Sequence, residues 1–503
     1  MGEEIKLLSN NVFDLGFLSK KEFIENIDNF IKVVDVITNN EEINEEIDEE
    51  TLVSELIGFG IVSEENNIPN IVNILGKERF KLLKETINIV HLKQLKDNPI
   101  IQKFNLQYRN KLSSESNKST KPTLVDLFCG SGGLSLGLTQ SGFQVIFAND
   151  IEKSALRTYQ FNHPEISKNS ITMGGIESIA HNVHEYIDRE VDVLAGGPPC
   201  QGFSMANRQR IIDDPRNILY KYYVECVKNL SPKFFVMENV KGMMAVADQV
   251  IEDFNNGVPV EYDISYKLMN AKNFGVPQNR ERLIFIGIRN DLSTKLLIDS
   301  KEILETIETN ELTNFTPLID AINDLPKRDA SRIRNSTEID SDESGKKIDV
   351  LENKKSSLYL DAINLHDNSK VLFNHKARYN NDRDIEIFGR MLPGDKSDSP
   401  RIADIMPYKS RSHMFKDKYF KLLPDQPSKT ITAHMKFDCN MYIHPYQARG
   451  LTPREAARVQ SYPDSYFFLG SYTKTYQQIG NSVPPLMSRR IGTVIYSLLE
   501  RLR

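Results

Sequence analysis

The chain has 503 residues, enough for two or three domains with an ample core, and its 40% hydrophobic content is ordinary for a folded protein. Its net charge of -6 is unevenly divided: residues 1–120 hold 21 acidic and 14 basic side chains, whereas the other 383 hold 48 and 49. That balance does not exclude a nucleic-acid partner, which needs only a local basic patch. No apolar run approaches membrane-spanning length and the first residues are acidic, so neither a span nor a signal peptide is expected. The cysteines at 129, 200, 226 and 439 have no paired spacing; they read as reduced thiols of a cytoplasmic protein, with no metal site.

Residues 1–120 read as a helical, acidic extension. Glu41–Leu56 suits a solvated helical face, with a partner surface or DNA mimic as the other reading, and Lys77–Leu95 carries apolar residues at helical spacing. Ser113–Pro122 is a polar linker. An apolar strand, Thr123–Phe128, then enters Cys129-Gly130-Ser131-Gly132-Gly133 and a helix-like run. Strand, glycine turn and helix let a nucleotide-like ligand approach the backbone beside unpaired helix N–H groups. No Gly-Lys-Ser/Thr follows, which excludes a phosphate-binding P-loop, and a merely structural turn is the alternative. A second strand, Gln144–Ala148, ends at Asp150, about 20 residues after the turn, where a carboxylate can bind ribose hydroxyls or cap the next helix.

Val191–Ala195 and Phe234–Met237 read as neighbouring buried strands. The first runs into Gly196-Gly197-Pro198-Pro199-Cys200-Gln201 and the second into Glu238-Asn239-Val240, so a thiol and a carboxyl group converge on one cleft. A thiolate nucleophile and a carboxyl group able to protonate a ring nitrogen suit covalent attack on an electron-poor heterocycle. A lone cysteine is more often a small core residue, but the prolines and glycines prescribe a rigid turn that a core cysteine does not require. Met205–Asp214, containing Arg208 and Arg210, is a polar loop able to close over a ligand. Arg280 and Arg282 precede the strand Leu283–Ile288, and alone would read as solvated flanking charges.

From Asp291 to Met441 the alternation of strands and helices is lost, and Arg378, Arg390, Arg411 and Lys418 are interleaved with Tyr379 and Tyr419. Further on, Thr452, Pro453 and Glu455 form the N-cap, first position and capping box of a helix whose Arg454 and Arg458 suit internal ion pairs.

Asp126-Leu-Phe-Cys-Gly-Ser-Gly-Gly133, Pro198-Pro-Cys-Gln201, Glu238-Asn-Val240, Gln278-Asn-Arg-Glu-Arg282 and Gly480-Asn-Ser-Val-Pro484, in that order, resemble the DNA cytosine-5 methyltransferases of bacterial restriction-modification systems. The resemblance runs from Lys121 to the C-terminus. It implies the α/β fold of S-adenosylmethionine-dependent methyltransferases, a Rossmann-like mixed sheet with helices on both faces. Residues 121–290 would form the catalytic and cofactor-binding domain and 291–441 a smaller, irregular target-recognition domain, with 442–503 returning to the catalytic domain. By the same resemblance Cys200 attacks C6 of a flipped cytosine, Glu238 holds or protonates N3, Arg280 and Arg282 match a catalytic pair of arginines of which the second lies beside the ring, and the Pro199 carbonyl takes the amino group. S-adenosylmethionine would meet Phe128, Gly130, Gly132 and Gly133 with its methionine portion, Asp150 with its ribose and Ile151 and Ile176 with its adenine. Gly197, Leu219, Asn481, Ser482 and Val483 would complete the pocket. Double-stranded DNA would contact Arg208, Thr430, Arg390 and Arg411, although a buried strand role for Thr430 is equally open, and a companion restriction endonuclease would be a separate chain. One departure stands out: Gly175 occupies the place where the family usually has an Asp for the adenine amino group, leaving that contact to backbone or a neighbouring side chain. The tRNA-acting branch carries a Cys-Phe-Thr tripeptide that is absent here.

Overall fold

A computed structural model describes residues 19–503 apart from 40, 42, 200–218, 257–258, 310–313, 335–337, 353–354, 366, 368, 408–417 and 438. The apolar strands build one seven-stranded sheet from β1 (Thr123–Leu127), β2 (Gln144–Asp150), β3 (Ile171–Met173), β4 (Val193–Gly196), β5 (Phe234–Asn239), β6 (Tyr262–Asn270) and β8 (Glu281–Arg289), in the order β3, β2, β1, β4, β5, β8, β6. The first five are parallel, and β8 runs antiparallel to both β5 and β6, so the sheet is mixed as expected. Both faces are buried because side chains alternate across each strand. Phe234 and Val236 join the core beneath helices Gly133–Gln140, Ser300–Glu308 and Pro485–Leu502, while Phe235 and Met237 join the core beneath Leu219–Leu230 and Ala247–Asn255. From β1 the chain moves outward through β2 and β3, then crosses to β4 and β5 on the other side. A crevice therefore opens at the C-terminal ends of β1 and β4, where such sheets bind ligands.

The short strand β7 (Gln278–Asn279) lies outside this sheet. Beyond β8, Ser300–Glu308 packs back on the sheet, its Ser300 N–H donating to Asp263 at 2.7 Å. Strands β9 (Ile348–Val350) and β10 (Val371–Phe373) pair antiparallel, and β11 (Ser428–Lys429) pairs in parallel with β7.

The N-terminal extension is helical but differs from the sequence reading in two places. Within Glu41–Leu56 a helix starts only at Glu49, where Asp48 caps it by accepting from the Thr51 N–H at 2.8 Å. Part of the expected linker, Ser113–Asn117, belongs to the helix Leu106–Asn117, which Asn105 caps and whose buried Arg109 donates to the carbonyls of Gln160 and Phe161. In Lys20–Thr38 the apolar stripe Phe23, Ile27, Phe30 and Val34 enters a core shared with Phe161, Phe467 and Leu469 and with Ile348, Val371 and Phe373 of the β9–β10 pair. Around it Arg157 pairs with Glu22 and Glu25, each at 3.4 Å, and Lys347 with Glu25 at 2.8 Å.

Candidate active site

The crevice holds a cavity of about 630 Å³, within the range of roughly 300–1,000 Å³ usual for small-molecule sites. The turn after β1 forms its floor. Gly130 has φ +55°, and a Cβ there would meet nothing within 4 Å among the described residues, so the glycine faces the cavity. Gly133 is needed for a different reason: its Cβ would fall 2.0 Å from Ser482 Oγ and 2.3 Å from the Val483 carbonyl, which press on the turn. Phe128, at φ +56°, is held in the left-handed region without being glycine, a costly conformation of the kind that collects at functional sites. Asp150 lies at the end of β2, where its carboxylate accepts from the Gly130 and Glu152 N–H groups, each at 2.8 Å. Burial raises its pKa. Asp126 also lines the cavity. One of its oxygens accepts from Ser135 and the other has no hydrogen-bond partner among the described residues, and burial pushes its pKa up to about 7.

At the other wall Pro198 is buried and Pro199 exposed. Asn239, at the end of β5, donates from Nδ2 to the Pro198 carbonyl at 3.0 Å and so fixes the turn. The antiparallel register sets Asn239 opposite Leu283, which brings Arg282 beside Glu238. Their ion pair measures 2.6 Å, and Glu238 is 9% exposed. The guanidinium of Arg282 also donates to the Glu281 carbonyl at 2.7 Å, which orients it toward the carboxylate.

Phe128, Gly130, Gly133, Asp150, Ile151, Ile176, Gly197, Pro199, Leu219, Glu238, Arg282, Asn481, Ser482 and Val483 all line this one cavity. Cys200 follows Pro199 in the chain but lies outside the described residues, as do Arg208 and Arg411. Arg280 departs from expectation. It is fully buried behind the cavity and donates to the carbonyls of Ile431 (2.7 Å), Gly480 (3.1 Å) and Ser482 (2.8 Å), so it ties three segments together instead of lining the cavity. Gly132 does not line the cavity either; a Cβ there would meet Tyr466 Oη at 2.7 Å on the buried side. Thr430 donates to the Asn279 carbonyl at 2.7 Å beside the β7–β11 pair, away from the cavity lining. Arg390 is engaged by Asp404 and Glu386.

Residues 123–497 match the family model of the C-5 cytosine-specific DNA methylases. The chain belongs to that family. It is 32% identical over 405 residues to the Type II methyltransferase M.DdeI of Desulfomicrobium norvegicum, covering 75% of this chain and 89% of that protein. To M.XorII of Xanthomonas oryzae pv. oryzae it is 33% identical over 398 residues, covering 76% and 86%. The crystal structure of a prophage-encoded DNA modification methyltransferase from E. coli superposes with a TM-score of 0.58 at 26% identity, covering 75% of this chain and 99% of that one. This chain is thus a DNA cytosine-5 methyltransferase, and the matched span excludes its N-terminal extension.

Three features of this methyltransferase's site had no local signal in the sequence. Asn239 fixes the Pro198 turn only because β4 and β5 are adjacent. Glu152 and Lys474 pair at 2.8 Å among the cavity-lining residues, joining segments 322 residues apart. Gln278 accepts from the Ile431 N–H at 2.7 Å and donates to Gln460 at 2.9 Å, so the Gln278–Arg282 block serves as a keystone as well as a site. Among the described residues no helix is long and apolar enough to cross a membrane, and no group of side chains could hold a metal ion.

Proposed function

We propose that the methyltransferase transfers a methyl group from S-adenosylmethionine to C5 of a flipped cytosine within a short sequence of double-stranded DNA, through a covalent bond between Cys200 and C6. The observation that carries this reading is the Glu238–Arg282 ion pair of 2.6 Å on the same cavity as the glycine turn and the Pro198–Pro199 turn that leads to Cys200.

The residues present fit the cofactor. Asp150 offers a fixed carboxylate to the ribose hydroxyls, the Asp126 oxygen not bonded to Ser135 is an acceptor for an ammonium group, and Ile151 offers an apolar face. When bound, S-adenosylmethionine supplies an electrophilic methyl group. Glu238 donates a proton or hydrogen bond to the cytosine N3 as the Cys200 sulfur adds to C6, and Arg282 keeps that carboxyl group in place. C5, now electron-rich, takes the methyl group. Loss of the C5 proton to a base then expels the thiolate and restores the ring. Only a few per cent of an ordinary thiol, with a pKa of about 8.5, is ionised at neutral pH, so Cys200 needs a cation or base nearby. The Pro199 carbonyl accepts from the cytosine amino group and disfavours thymine.

C5 and C6 are out of reach inside a stacked duplex, so the base leaves the stack at a cost of about a few kcal/mol, offset by pocket and phosphate contacts. The segment 291–441 reads the target, the Thr430 turn and the loop containing Arg208 meet the backbone, and the biological role is protection of host DNA against a companion endonuclease carried on a separate chain. Bisulfite sequencing of plasmids from cells expressing the wild type or Cys200→Ser tests this. Protected cytosines in one short motif, with wild type only, are expected; equal patterns from both would overturn it.

A further inference from the structure

The chain after β3 turns through Gly174–Ser178 against the end of β2. Asn149 donates to the carbonyls of Thr172 and Gly174, each at 3.0 Å, and Ser178 Oγ donates to the Gly175 carbonyl at 2.7 Å. Gly175 has φ -67° and ψ 141°, a backbone any residue adopts, so its conformation does not demand glycine. Space does. An added Cβ would lie 2.2 Å from Glu177 Oε1 and 2.5 Å from Oε2. Glu177 folds its carboxylate back over Gly175 and lines the cavity together with Ile176 and Ile151, whose side chain is 73% exposed. Among the described residues this carboxylate has no hydrogen-bond or ion-pair partner. An acceptor-only group beside an uncovered apolar side chain suits a planar ring that presents N–H donors at its edge.

We propose that Glu177 selects the adenine of S-adenosylmethionine by accepting a hydrogen bond from its 6-amino group, and that glycine at 175 provides the room this carboxylate occupies. The assignment rests on the cofactor reading above. It gives the adenine amino group a partner two residues beyond the position where the family usually carries its Asp, and it places the specificity of the adenine end in one side chain.

Calorimetric titration of the purified chain with S-adenosylhomocysteine and with its purine analogue lacking the 6-amino group separates this contact from the rest of the site. The wild type is expected to favour the adenine compound by about tenfold or more, the range for a hydrogen bond to a charged acceptor. In Glu177→Ala that ratio should fall to near one, while Glu177→Gln, whose amide oxygen still accepts, should retain part of it. Glu177 is exposed, and an unchanged melting temperature without ligand would confirm that the Ala variant is folded. A ratio that survives in Glu177→Ala, or a wild type that binds both compounds equally, overturns the assignment alone. A wild type that binds neither overturns the cofactor reading and this assignment with it.

Discussion

Glu238 and Arg282 form a largely buried ion pair, with side chains 11% and 14% exposed, whose desolvation cost offsets much of its attraction, so its value lies in aim more than in stability. Glu238→Gln keeps the shape but alters the proton the side chain can give. Methyl transfer to DNA is expected to fall about 10²–10⁴-fold, the range for general acid catalysis, with S-adenosylhomocysteine affinity within about twofold of wild type. Transfer of a labelled methyl group beside calorimetry would check this, and near-normal turnover would remove Glu238 from the chemistry. Arg280 should behave differently from its neighbour. Arg280→Ala strands the carbonyls of Ile431, Gly480 and Ser482 and should lower stability by on the order of 3 kcal/mol, whereas Arg282→Ala should cost mainly turnover. A melting temperature unchanged in Arg280→Ala would show that its buried bonds carry no weight. In the sequence the two arginines look alike, two positions apart. What separates them are partners 151 to 202 residues away, which no local pattern contains.

The helix Pro453–Val459 shows the opposite case, an element readable because its determinants are adjacent. Thr452 accepts from the Glu455 N–H, and Glu455 accepts from the Thr452 N–H at 2.7 Å and from Arg449 at 2.7 and 2.8 Å. Its Arg458 pairs internally with Asp324 and Asp464 as expected, but Arg454 donates to the carbonyls of Phe373, Pro463 and Tyr466. The sequence did not announce the histidines around this cap. His375 lies between Thr452 Oγ1 (3.1 Å) and the Pro326 carbonyl (2.7 Å), and burial lowers its pKa from 6.5 to about 3. Burial likewise lowers His444 from 6.5 to about 4. The unfolded chain takes up these protons near pH 6.5 and the folded chain does not, so the stability they contribute is complete above pH 6.5 and is lost as pH falls toward 3–4. Below pH 4.5 Glu455 adds to the same trend: burial would raise its pKa, but Arg449 holds it well below the usual carboxylate range. Melting temperature should therefore fall steadily below about pH 6.5, and less steeply in His375→Gln; superposable slopes would refute this. The last turn of the helix Leu106–Asn117, from Ser113 on, was hidden because its polar composition matches a linker, and what anchors the helix is the burial of Arg109 against another element.

Across the whole molecule, the strands β1, β2, β4, β5 and β8 and the glycine turn were legible because each depends on a short-range pattern, whereas β6 and the β7–β11 and β9–β10 pairs were not. The union of the extension with the rest was not, since Phe23 or Phe30 in a helical stripe does not say what covers it. It is covered by Phe161 and Phe467 and by the β9–β10 pair, so the extension braces the catalytic sheet and the β9–β10 segment against each other. Arg157→Ala, which removes the partner shared by Glu22 and Glu25, should cost on the order of 2–3 kcal/mol, less than the roughly 3–5 of a fully buried pair because both carboxylates keep some exposure. Chemical denaturation would measure it, and a loss under about 0.5 kcal/mol would show that the ion network contributes nothing beyond packing. The cavity itself is assembled from distant parts, for Ser488 donates to the Gly133 carbonyl across 355 residues while Ser482 and Val483 press on the same glycine. On a ribosome that adds 5–20 residues per second, the glycine turn would wait roughly 20–70 s for this closing segment to be made. A nascent or prematurely stopped chain that ends shortly before Asn481 would carry every strand and still lack the Asn481–Val483 wall of the cavity, so the pocket is complete only once synthesis has passed that segment.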